Sequence, residues 1–174
     1  MRFLTSANAI RYRNIPDIPE GAELGNIVIT HCEFPESCTN KSGGDYYPGK
    51  HKVYILGYKP EDKILNISHN VFKRNENKRK EDCIELYVCG GVDEDEHIDP
   101  KGEIALIGGT ISYNQFDGSA RECLFIRTHS KLNISYNVIN DVGFPKGQDT
   151  HALGLCFPRG YRSVISHNIV NGAN

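Results

Sequence analysis

One six-residue phrase is written five times in this chain, and it restricts the fold more than any other feature. The copies are Ile29-Thr30-His31-Cys32-Glu33-Phe34, Ile67-Ser68-His69-Asn70-Val71-Phe72, Ile111-Ser112-Tyr113-Asn114-Gln115-Phe116, Ile134-Ser135-Tyr136-Asn137-Val138-Ile139 and Ile165-Ser166-His167-Asn168-Ile169-Val170. The shared pattern is Ile-Ser/Thr-His/Tyr-Asn-x-apolar, with Cys32 in place of Asn in the first copy. The fourth positions fall at 32, 70, 114, 137 and 168, so the steps are 38, 44, 23 and 31 residues. A helical-hairpin repeat holds a nearly fixed period. A coil of short parallel strands does not need one, because its strands stay constant while its turns swell into loops.

Composition narrows the class. A chain of 174 residues is the size of one domain with a full core. Its 20 basic and 22 acidic side chains leave a formal charge of −2, so there is no basic footprint and no nucleic-acid partner is expected. The longest basic run, Lys73-Arg74 to Lys78-Arg79-Lys80, contains Glu76 and is followed by Glu81 and Asp82, which reads as a solvated turn. No stretch approaches the ~18 apolar residues of a membrane span. The opening Met1-Arg2-Phe3-Leu4-Thr5-Ser6-Ala7-Asn8 lacks the apolar core of a signal peptide.

Each phrase can be extended backwards to an earlier apolar strand: Lys52 to Leu56, Cys83 to Tyr87, Cys123 to Arg127 and Ala152 to Cys156. Alternation sets Val53/Ile55, Ile84/Leu86, Leu124/Ile126 and Leu153/Leu155 on one interior ladder. A bend follows, then the Ile-Ser-x-Asn strand, then a third short strand around Phe72, Phe116, Ile139 and Val170. One rung is therefore three short strands and three corners. Residues 26–174 carry the repeats, and residues 1–25 form a partial N-terminal cap or an incomplete rung of the same single domain. In this alignment Cys83 and Cys123 open equivalent strands. Neighbouring strands lie ~4.8 Å apart, so a disulfide between them is permitted without being required. Free thiols, buried or half-buried, are the plainer reading of the six cysteines.

The Asn of the phrase follows one strand and precedes another, so it belongs at a corner. Asn tolerates left-handed backbone angles, and its amide can bond to backbone groups. Asn70, Asn114, Asn137 and Asn168 are expected to stack as a ladder, each amide bonded above and below. His31, His69 and His167 share a repeat position with Tyr113 and Tyr136. That interchange points to a role in shape, by outward stacking, and away from metal ligation.

These copies and the strands before them resemble the right-handed parallel β-helix repeats of the pectate-lyase-like superfamily. The resemblance covers about Asn26 to Asn171. It implies an all-β, right-handed single-stranded parallel β-helix of about five rungs. That is fewer than family members usually have, so a truncated or partial helix is expected. Right-handedness also follows from the general rule for parallel crossovers. The fold hosts polysaccharide lyases, glycoside hydrolases, epimerases, tailspikes and adhesins, so it does not fix an activity.

The resemblance also implies a polysaccharide groove over the outer face of the first strand of each rung. The outward positions there read Tyr54, Glu85, Phe125 and Gly154 in one column, then Leu56, Tyr87, Arg127 and Cys156 in the next. Aromatic rings stack on sugars, and Arg pairs with uronate carboxylates. Tyr54, Glu85, Tyr87, Phe125 and His129 are thus candidate substrate-binding residues; the other reading is an outer face buried under its own loops. His51, Asp82, Glu122 and His151 stack at the corner leading into that strand, with Asp149 two residues before His151. Carboxyl groups on adjacent or alternate rungs would lie ~5 Å or ~9.6 Å apart, which brackets the retaining and inverting glycosidase geometries. Asp149, His151, Glu122 and Arg127 are the candidate catalytic set, because a nearby carboxylate raises the pKa of a general acid. The alternative is that Asp149 caps a turn and His151 bonds backbone. A lyase would instead need a base, from Arg127 with His129 or from Lys52.

No cofactor is expected. The acidic loop Val92 to Asp99 offers oxygen ligands for Ca²⁺, but its spacing matches no calcium-loop template. The expected function is polysaccharide binding, with cleavage as a glycoside hydrolase or lyase if the acid–base set converges. The alternative is a non-catalytic segment of a tailspike, adhesin or surface protein that serves as stalk or sugar platform. The resemblance favours a secreted or surface location, and exposed helix ends or faces would invite homo-oligomers.

Overall fold

The computed structural model describes residues 10–13, 26–34, 52–56, 64–73, 86–89, 107–118, 123–127, 130–140, 153–156 and 163–172. Everything there is strand or short connection. The strands are β1 (Ile10–Arg13), β2 (Ile27–Thr30), β3 (Glu33–Phe34), β4 (Val53–Leu56), β5 (Ile64–Ser68), β6 (Val71–Phe72), β7 (Leu86–Cys89), β8 (Ile107–Ser112), β9 (Gln115–Phe116), β10 (Leu124–Arg127), β11 (Ser130–Ser135), β12 (Val138–Asn140), β13 (Leu153–Cys156), β14 (Val164–Ser166) and β15 (Ile169–Asn171). Among the described residues no helix is long and apolar enough to cross a membrane.

The strands form three five-stranded sheets, ordered β1-β4-β7-β10-β13, β14-β11-β8-β5-β2 and β15-β12-β9-β6-β3. Consecutive strands thus visit the first, second and third sheet in turn, and every pairing is parallel. Parallel sheets with stacked asparagines are compatible with a parallel β-helix. Like sits on like across the copies. Ile29, Ile67, Ile111 and Ile134 share one register column of the second sheet. The rings of Phe34, Phe72 and Phe116 stack with centroids 4.6 Å apart in the third. Val53, Leu86 and Leu124, with Ile55, Val88 and Ile126, supply the apolar ladder of the first sheet, all fully buried.

That first-sheet ladder corrects the sequence alignment at one strand. Val53 and Leu124 pair with Leu86, not with Ile84, so β7 is shifted by two residues. A two-residue slip leaves side-chain parity unchanged, so the run Ile84, Leu86, Val88 satisfies the alternation in either register. Cys83 lies outside the described residues. Cys123 is buried, and Leu86 donates its N–H to the Cys123 carbonyl at 3.0 Å.

The asparagine ladder is built as the phrase predicts. Asn70, Asn114 and Asn137 are buried to 1% exposure. The side-chain amides of Asn70, Asn114 and Asn137 donate to Oδ1 of Asn114, Asn137 and Asn168 at 3.0, 3.0 and 2.9 Å. Each also donates to the Ile carbonyl of the copy before, at 2.8 to 3.0 Å. The backbone N–H groups of Asn70, Asn114 and Asn137 reach the same Oδ1 atoms.

The left-handed residue of the corner is not the Asn, however. It is the residue before it: His31, His69, Tyr113, Tyr136 and His167 all have φ between 54° and 57°. Asn propensity pointed one position too far. The Asn amide is committed to neighbouring copies, and the turn is made by the preceding residue. The N–H groups of His31, His69, Tyr113 and Tyr136 still continue the strand ladder, donating to the carbonyls of Ser68, Ser112, Ser135 and Ser166.

Candidate functional site

The expected groove runs over the first sheet, and the corrected register changes its make-up. One column now reads Arg11, Tyr54, Tyr87, Phe125 and Gly154. The next reads Arg13, Leu56, Cys89, Arg127 and Cys156. Tyr87 therefore shares the column of Tyr54 and Phe125, in the place expected for Glu85. Three aromatic positions fall in line on three adjacent strands, with Arg127 two residues beyond Phe125. Phe125 is half-buried between the fully buried Leu124 and Ile126.

The acid–base set is not drawn together by any described contact. Asp149, His151 and Glu122 lie outside the described residues, as do Glu85, His129 and the acidic loop Val92 to Asp99. Arg127 is described through its backbone in β10. Lys52 is fully buried, and its ammonium donates to the carbonyl of Lys73. That burial withdraws it as the base of a lyase acting on an external polymer, which has to meet the base in solvent. Lys73 in turn pairs with Asp117 at 3.2 Å on the surface of the third sheet.

A second surface emerges at the corner between the second and third sheets. His31, His69, Tyr113, Tyr136 and His167 are all exposed and stack in one continuous column. Ring centroids are 5.0, 5.0, 5.0 and 4.8 Å apart, with interplanar angles of 2°, 16°, 2° and 13°. The shared position of His and Tyr foretold the outward stacking. It gave no sign of the left-handed backbone beneath, which costs about 1–2 kcal/mol at a non-glycine residue. Stacked ring pairs contribute about 0.5–1.5 kcal/mol each, so four pairs along five residues offset part of that cost. At His69, Tyr113 and Tyr136 both ring faces are taken by neighbours, so these residues offer ring edges and polar tips to a ligand, not open faces for a sugar.

The column is not a metal centre as it stands. The lone pairs of two parallel imidazoles point side by side instead of converging. Among the described residues no three His, Cys, Asp or Glu side chains gather to hold a metal ion.

Comparison of the chain with protein-family models, with curated proteins and with solved structures finds no significant match.

Proposed function

We propose that this chain is a right-handed parallel β-helix of about five rungs, of the pectate-lyase-like kind, and that it binds a polysaccharide along the outer side of its first sheet. The observation that carries the reading is the register of Tyr54, Tyr87 and Phe125 on adjacent strands ~4.8 Å apart. Aromatic residues in line along the stacking direction suit a polymer laid across successive strands, and Arg127 in the neighbouring column suits a uronate carboxylate. Cleavage, by hydrolysis or elimination, rests on Asp149, His151, Glu122 and Arg127 as the acid–base set. Such a protein belongs on a cell surface or outside the cell.

The test is affinity electrophoresis of the full chain against a panel of neutral and uronate-containing polysaccharides, with Tyr54→Ala, Tyr87→Ala and Phe125→Ala alongside. Retardation by one polymer class, weakened at least fivefold by each substitution while far-UV circular dichroism is unchanged, supports the reading. No retardation by any polymer sinks it. A reducing-end assay on the retarding polymer, with Glu122→Gln and Asp149→Asn, then separates an enzyme from a binder.

The second reading is a non-catalytic stalk or sugar platform. It is favoured by the ring column and the asparagine ladder, both of which spend their bonding capacity on neighbouring copies. Retardation without cleavage identifies the platform.

A further inference from the structure

Two glycines adjoin in β8, and only one of them has a structural reason. Gly109 has φ 135°, and a Cβ there would run into the Leu65 carbonyl. Gly108 has no positive φ, and a Cβ on it would meet nothing within 4 Å. Pairing runs unbroken through Gly108 on both sides, to Ile64 of β5 and Lys131 of β11, so it marks no bulge. β8 lies inside the second sheet, between those two strands. A glycine inside a strand weakens it; where it makes no bulge or bend, it marks a place where a ligand or another backbone comes close. No other backbone comes close to Gly108, so a ligand is what remains.

The residues around Gly108 are equipped for one. Alternation turns Ile64, Gly108 and Lys131 outward in one column, and Asn66, Thr110 and Asn133 outward in the next. Gly108 therefore floors a notch between two larger side chains, whose strands lie about 9.6 Å apart. On one side Ile64 is 51% exposed. On the other Lys131 is exposed, and it has no ion pair among the described residues. Asn133 is exposed as well. Its side-chain amide makes no hydrogen bond among the described residues, whereas those of Asn70, Asn114 and Asn137 are all committed to the ladder. Thr110 Oγ1 donates to the Asn133 carbonyl at 3.3 Å, which holds these two residues side by side.

We propose that this notch is a second saccharide site, on the second sheet, that takes one acidic sugar residue. The apolar face of the sugar ring lies over Gly108 and against Ile64, its acid group pairs with Lys131, and its hydroxyls bond to Asn133, Asn66 and Thr110. Charge selects an acidic ligand: Lys131 is the one charged side chain among the outward described residues of β5, β8 and β11. A side chain at position 108 would occupy the place of the sugar ring, which accounts for the glycine. The ligand class rests on the polysaccharide reading above, but the site shares no residue with the first-sheet groove.

The test is nitrogen–proton correlation NMR of the full chain, titrated with a mannuronate tetramer, a carrageenan tetrasaccharide and cellotetraose. Saturable shifts of the Gly108, Thr110 and Asn133 amide signals with an acidic tetramer, and none with cellotetraose, are the expected result. The uronate and sulfate arms tell the two acid groups apart. Lys131→Ala and Gly108→Val should each raise the dissociation constant read at these signals at least fivefold, with the rest of the spectrum preserved, whereas Tyr54→Ala should leave it unchanged. Two variants on different sides of the contact keep the test open if one of them unfolds. Shifts confined to Tyr54, Tyr87 and Phe125 would remove this site and keep the groove; shifts at Gly108 with none in the first sheet would do the reverse. No shift at Gly108, an equal response to cellotetraose, or indifference to Gly108→Val would each overturn the proposal.

Discussion

Asn70 sends two hydrogen bonds to one atom: its backbone N–H and its side-chain amide both donate to Oδ1 of Asn114, at 3.1 and 3.0 Å. That single oxygen closes a backbone corner and joins two copies at once. It explains why the phrase keeps Asn where Ser or Asp would also suit a turn. Ser lacks the reach, and Asp lacks the donor that Asn114 returns to the Ile67 carbonyl at 2.9 Å.

Asn114→Ala therefore strands several buried groups together, notably the Asn70 N–H and the Ile67 carbonyl. Each buried orphan costs about 1–3 kcal/mol, so urea unfolding should show a loss of about 3–4 kcal/mol, near the top of the usual range. A loss under about 1 kcal/mol would mean that water replaces the amide, and that the ladder is decoration.

Cys32→Asn should do the opposite. Cys32 supplies its backbone N–H to Asn70 Oδ1 at 2.9 Å but has no side-chain amide to add. An Asn there restores the second donation, for a gain of about 1 kcal/mol in denaturant unfolding. The thiol contact to the Thr30 carbonyl at 3.3 Å is weak and little is lost with it. Unchanged or lower stability would show that the first copy departs from the pattern for a reason other than the ladder.

Tyr113 tests the left-handed corner. At an ordinary strand position Ile is more stabilising than Gly. With φ at 55° the order should reverse, because the β-branched side chain meets the left-handed penalty and Gly does not. Both variants lose the ring contacts to His69 and Tyr136, so the difference between them isolates the backbone. Thermal melts should place Tyr113→Ile below Tyr113→Gly by about 1–2 kcal/mol. The reverse order would refute the strain argument.

Gly109 and Gly108 form a matched pair one residue apart. A Cβ on Gly109, at φ 135°, would stand 1.9 Å from the Leu65 carbonyl oxygen, whereas one on Gly108 meets nothing within 4 Å. Gly109→Ala should cost about 3 kcal/mol or more, since backbone on both sides must shift. Gly108→Ala should be neutral or up to about 1 kcal/mol stabilising, by restricting the unfolded chain. Comparable effects at the two sites in chemical denaturation would contradict the close approach of β8 to β5.

The parts of the fold legible in the sequence are those where one residue type answers one need. The Ile and Phe columns and the asparagine ladder follow from the phrase itself, because burial and the amide leave few substitutes. The pairing of β7 is not legible, since Ile84, Leu86 and Val88 give the alternation two equally good registers. Only the contacts of Leu86 with Val53 and Leu124 choose between them. Propensity points to Asn as the left-handed residue; the ladder claims the Asn, and a local preference yields to a long-range bond. The residue types of β4, β7 and β10 are legible, but the column that Tyr54, Tyr87 and Phe125 share follows only from the register. The acid–base members of the groove, Asp149, His151 and Glu122, lie outside the described residues.

The irregular first copy also bears on how the molecule would respond to force. Hydrogen bonds between copies point along the stacking direction, so tension along it loads the interfaces in series. Between the second and third copies, two bonds converge on Asn114 Oδ1; between the first and second, only the Cys32 N–H reaches Asn70 Oδ1. Along the asparagine column the joint at Cys32 is held by one bond where its neighbour has two, so within that column it is the link that would give way first.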